Sequence, residues 1–67
     1  MNKYMVIMSY DEDGQRKQSA MFFDDMLKAD DYYSIGTTSL GYYGEVYEYQ
    51  DGTPENDFDS GYHFLYS

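Results

Sequence analysis

The chain has 67 residues, with four basic and 13 acidic side chains giving a formal net charge of −9, no cysteine, ten tyrosines and four phenylalanines. That length allows one domain, residues 1–67, which buries only about 60% of the surface its unfolded chain exposes. Without cysteine there is no disulfide or thiolate metal site, and His63 alone cannot build a zinc site. Stability must therefore come from aromatic burial, at roughly 150–250 Å² per large ring. The acidic excess argues against direct binding to nucleic-acid phosphates or anionic membranes. No apolar run approaches the roughly 20 residues that span a bilayer, and the patch from Tyr4 to Met8 is too short for a signal-peptide core, so a soluble, cytoplasmic protein is expected.

Residues 3–10 read as a strand with Tyr4, Val6, Met8 and Tyr10 on one face and Met5, Ile7 and Ser9 on the other. Both faces are largely apolar, the pattern of a central strand covered on both sides. Asp11-Glu12-Asp13-Gly14 follows, and Asp-Gly between strand-like runs signals a hairpin because glycine accepts positive φ freely. The second strand then covers residues 15–23, polar in its first half and re-entering the core from Ala20 to Phe23. Asp24 or Asp25 is placed to N-cap a helix over residues 26–33, with Gly36 as its stop. A competing reading starts the helix at Ser19.

Residues 37–41 read as a loop and residues 42–49 as a third strand. In that strand Tyr43, Glu45, Tyr47 and Tyr49 share one face, while Tyr42, Gly44, Val46 and Glu48 share the other. A turn at residues 51–54 and an acidic loop at 55–60 lead to a last strand over 61–67, which alternates Tyr62, Phe64 and Tyr66 with His63 and Leu65. The pattern predicts an α+β domain, β-β-α-β-β, with one short helix on one face of an antiparallel sheet.

Charge is distributed unevenly along this pattern. The first 28 residues hold four cations and five acids (4 − 5 = −1), and the last 39 hold eight acids and no lysine or arginine, which accounts for the remaining −8. Acids at i and i+2 on a strand project from one face about 6.6–6.8 Å apart. Several such strands and loops can present a negative lattice with spacings of the order found along nucleic acid.

Few residues carry recognisable chemistry. Asp11 to Gly14 does not fit a calcium loop: counting from Asp11 puts the required glycine on Arg16, and counting back from Gly14 puts the terminal glutamate on Ala20. Glu55, Asp57 and Asp59 form a looser cluster that a solvated surface loop explains. A histidine such as His63 can serve as a general base, but the sequence supplies no recognisable catalytic set around it, neither a nucleophile elbow nor a phosphate-binding glycine loop. No enzymatic activity and no cofactor are expected. The tyrosine stripes resemble base-stacking platforms in composition, but such platforms combine rings with cations, whereas these rings alternate with Glu45 and Glu48.

In size, charge and lack of catalytic residues the chain is similar to the small acidic phage proteins that block host nucleases, CRISPR effectors, restriction enzymes or polymerases. The likeness implies an anti-defence inhibitor that mimics nucleic acid toward a basic, nucleic-acid-handling protein. The expected contact residues are Glu45, Glu48, Asp51, Glu55, Asp57 and Asp59, with Tyr47 and Tyr49 as aromatic anchors. The alternative is a structural subunit that self-associates, as a homodimer for instance, through its tyrosine-rich sheet face.

Overall fold

In the computed structural model, which describes residues 3–50 and 61–67, the doubly apolar first strand lies inside the sheet. Strand β1 (Tyr4–Glu12) pairs antiparallel with β2 (Gln15–Phe23) on one side and with β3 (Tyr43–Tyr49) on the other. Strand β4 (Tyr62–Tyr66) completes an antiparallel sheet of order β2-β1-β3-β4. The β1–β2 connection is the expected tight turn. Asp13 and Gly14 both take positive φ, 53° and 79°, the pattern of the two-residue turn whose twist matches that of the flanking strands.

Helix α1 (Met26–Ser34) packs on one face of this sheet. Of the two candidate caps it is Asp25, in extended conformation, whose carboxylate accepts the Leu27 N–H at 3.0 Å. Residues 19–23 remain strand, which excludes the helix start at Ser19. Beneath the helix lie Val6, Met8 and Val46, which together with Ala29 form the buried cluster. Leu27 points away from the sheet and is 73% exposed.

The helix does not stop at Gly36, and the expected loop at residues 37–41 is mostly helical. The backbone continues from α1 into a π-helical turn over Ile35–Ser39. Thr37 and Thr38 help to widen the turn by donating their hydroxyls to the carbonyls of Tyr33 and Ser34, back-bonding that bends helices. Gly36 has a different task, that of close approach. A β-carbon there would lie 2.4 Å from Met8 Cε, so glycine lets the turn rest on the core. Termination passes to Gly41, at φ 72°, and the following Tyr42 N–H bonds back to the Gly36 carbonyl at 2.9 Å, as in a left-handed helix cap. The α+β expectation thus holds as a four-stranded antiparallel sheet with one α-helix. The helical element simply runs further than the β-β-α-β-β scheme has it.

A second departure lies in β4. Tyr49 pairs with Tyr62, Glu48 with His63 and Tyr47 with Phe64, but Val46 pairs with Tyr66, so one extra residue is taken up between them. This bulge reverses the alternation. Tyr62 and Phe64 stay on the helix-free face, while Tyr66 turns to the helix side, where it packs edge-on against Tyr33. The predicted single stripe of Tyr62, Phe64 and Tyr66 is therefore split between the two faces.

The Gly36–Met8 contact supplies a test. Gly36→Ala should destabilise the fold by about 1–3 kcal/mol through overpacking. Combining it with Met8→Val, which removes the crowding sulfur and methyl, should cost less than the sum of the two single changes in thermal or urea unfolding.

Candidate protein interface

The aromatic residues form two layers, one on each face of the sheet. On the helix side Phe23 meets Tyr32, Tyr33 meets Tyr66, and Tyr10 stacks on Tyr42 with ring centres 4.8 Å apart. On the open face Tyr47 packs against Phe64, Tyr49 against Tyr62, and Phe22 reaches Tyr62. The last contact joins β2 to β4, the two edge strands, across the sheet. Met5 lies on this open face and is only 2% exposed, and among the described residues it is rings that cover the second side of β1. They leave a partly exposed aromatic surface in which Tyr43 is 72% and Phe64 55% accessible.

The cations are already engaged. Lys3 lies 3.5 Å from Glu48, Arg16 3.2 Å from Asp11, Lys17 2.7 Å from Glu12 and Lys28 3.8 Å from Asp24. Arg16 also covers the Tyr43 ring at 5.7 Å. Of the nine acids in the described residues, Asp11, Glu12, Asp24 and Glu48 are matched in this way, and Asp13, Asp25, Asp30, Asp31 and Glu45 have no ion pair among the described residues. Asp51, Glu55, Asp57 and Asp59 lie outside the described residues. Asp25 caps the helix. Asp30 accepts a hydrogen bond from the Tyr66 hydroxyl, and Glu45 accepts one from Tyr47 at 3.1 Å.

Of the contact residues expected from sequence, Glu45 and Tyr47 sit together on the open face and Tyr49 shares it. Glu48 lies across from Tyr4 on the opposite face, with its carboxylate at Lys3. Tyr47 and Tyr49 are half-buried by their ring partners, whereas Tyr43 is the far more exposed tyrosine. The turn at residues 51–54 and the acidic loop at 55–60 also lie outside the described residues. Sequence reasoning passed over Asp31, which is exposed on α1 and has no ion pair among the described residues. Its only signal was its position after the last lysine.

Because β4 pairs only from Val46 onward, the outer edge of β3 near Gly44 has no strand partner among the described residues. A groove of about 400 Å³ lies there, walled by Tyr33, Thr37, Tyr42, Tyr43 and Glu45. Among the described residues its lining offers hydroxyls and one acidic side chain, Glu45, and no lysine or arginine. Among the described residues no group of three or more potential ligands is placed to hold a metal ion. No helix among them is long and apolar enough to cross a membrane. No family model, curated protein or solved structure matches the chain.

The Tyr66–Asp30 contact makes stability sensitive to alkali. Burial first, and then the adjacent Asp30 carboxylate, push the Tyr66 hydroxyl from its ordinary 10.0 up to about 12. A group whose folded pKa is raised contributes fully below its unfolded pKa and loses that contribution as pH climbs through the folded one. Tyr66→Phe should therefore melt a few degrees below the parent at pH 8, with the gap closing between pH 10 and about 12. Melting curves of the two proteins across that range check it.

Proposed function

We propose that this chain is a non-enzymatic acidic binding protein that inhibits a basic, nucleic-acid-handling protein by occupying its cationic groove, as phage anti-defence inhibitors such as anti-CRISPR and anti-restriction proteins do. The observation that carries this reading is the charge partition. Each of the four cations already has a carboxylate within 4.0 Å, and the formal net charge of −9 sets the long-range field. Such a field repels phosphates and steers a positively charged protein surface toward the molecule. Rings at the open face would add desolvated contact once the partner is near.

The exposed Tyr43 and Phe64 favour a second reading, a structural subunit that assembles through its aromatic face. The two differ in salt response, since a charge-driven complex weakens with ionic strength while an apolar one holds or tightens. Affinity capture from a bacterial lysate at low and high salt should retain basic nucleic-acid-binding proteins only at low salt. Glu45→Lys and Asp57→Lys, singly and more so together, should slow association, whereas reversals at Asp11 or Glu12 should matter less. The protein alone should not bind single- or double-stranded DNA or RNA at low salt in a fluorescence titration. Tight binding there, or capture that survives high salt, removes the inhibitor reading.

A further inference from the structure

The groove beside Gly44 brings three tyrosines and a carboxylate together. Tyr33, Tyr42 and Thr37 wall it from the helix side, Tyr43 and Glu45 from the open face. At about 400 Å³ it falls within the roughly 300–1,000 Å³ of ligand pockets. Tyr43 and Glu45 are both exposed, so the packing of the core does not explain them.

Glu45 is restrained but not neutralised. The Tyr47 hydroxyl donates to its Oε1 at 3.1 Å, and its other oxygen accepts no hydrogen bond among the described residues. All four lysines and arginines of the chain lie in the described residues, and each stands by a different carboxylate, that of Glu48, Asp11, Glu12 or Asp24. The segments outside the described residues contain no lysine or arginine. The charge of Glu45 is therefore left for a cation from another molecule.

Tyr43 indicates which cation. In the adjoining hollow, which Tyr42 and Tyr43 also line, the Arg16 guanidinium lies 5.7 Å over the Tyr43 ring with Asp11 at 3.2 Å. The fold thus already combines this ring with a guanidinium and a carboxylate. Because Asp11 balances Arg16, a second guanidinium near the ring meets no uncompensated positive charge. We propose that the Gly44 groove binds the guanidinium group of an arginine side chain, with Glu45 accepting its N–H groups and tyrosine rings flanking its plane. Arginine suits these walls better than lysine. Its planar fork stacks on rings and presents several donors to carboxylate and hydroxyl oxygens, whereas an ammonium is a strongly hydrated point charge. This occupant rests on the inhibitor reading, which requires a basic partner, and names the side chain by which that partner is held.

Titration of N-acetyl-arginine methylamide into the isotopically labelled full chain, at constant ionic strength, tests the site. Saturable NMR shifts centred on Thr37, Tyr43 and Glu45 are expected at millimolar concentration, with N-acetyl-lysine methylamide binding about two- to fivefold more weakly. Glu45→Gln should weaken arginine binding at least about fivefold, and Tyr43→Ala about two- to fivefold. Asp13→Asn, which removes an acid outside the groove, should leave it unchanged. Shifts that do not saturate, that map elsewhere or that are equal for lysine overturn the proposal, as does a folded Glu45→Gln variant that binds like the parent. If one variant fails to fold, the other and the lysine comparison decide the matter. Capture from a lysate separates this site from the inhibitor reading. Basic proteins retained at low salt by a chain that does not bind the arginine probe leave that reading standing and remove the groove; arginine binding by a chain that retains no basic protein does the reverse.

Discussion

Burial of β1 on both faces is the constraint from which the rest of the structure follows. Of the five apolar residues buried among the described residues, Met5, Val6, Met8, Ala29 and Val46, three belong to this strand, and they point to opposite sides. A sheet whose middle strand is apolar twice over needs two covers, and the described residues hold one α-helix. The second cover is made of side chains, Phe22, Tyr47, Tyr49, Tyr62 and Phe64, leaning over the face from the flanking strands. Small residues follow from the same demand. Gly36 admits Met8 beneath the π-helical turn, and Gly44 leaves room for the Tyr33 ring, which a β-carbon there would approach to 2.8 Å.

The charges play little part in holding this core. The four ion pairs among the described residues lie on partly or largely exposed side chains, where such pairs contribute roughly 0–1 kcal/mol each. Their effect is on the exterior field: the first hairpin becomes nearly neutral, and the acidity is confined elsewhere. Tyrosine suits both requirements of such a molecule. Its ring fills the thin layers over the sheet, and its hydroxyl reaches water or a carboxylate at the rim, as Tyr66 reaches Asp30 and Tyr47 reaches Glu45.

Much of the sheet was legible in the sequence because its signals are local and periodic. The Asp13-Gly14 turn, the two-faced apolar pattern of residues 3–10 and the Asp25 cap each follow from a few neighbouring residues. The π-helical turn did not, since Gly36 next to two threonines reads locally as a helix stop. Only the proximity of Met8, which is remote in sequence, shows that the glycine serves contact instead. The bulge in β4 escaped for a related reason. Tyr62, Phe64 and Tyr66 alternate regularly, and nothing within the strand signals that pairing with β3 takes up one extra residue. For the candidate site, Glu45 and Tyr47 were legible as face-sharing neighbours, but the exposure of Tyr43 depends on β4 starting to pair only at Val46.

The two sides of β1 also differ in the length of chain that must be closed to form them. The β2 side grows from a two-residue turn, whereas the β3 side joins Ser9 to Tyr43 and Tyr4 to Glu48, separations of 43 − 9 = 34 and 48 − 4 = 44 residues. Closing the longer loops costs more chain entropy before any contact is gained, and non-local pairing of this kind slows folding. The hairpin can therefore zip early, while β3 and β4 must wait for α1 and the π-helical turn to shorten the path back to β1. Until they arrive, Met5, Val6 and Met8 are exposed on a two-stranded ribbon. Loop-closure entropy thus favours forming the β1–β2 hairpin ahead of the β1–β3 seam.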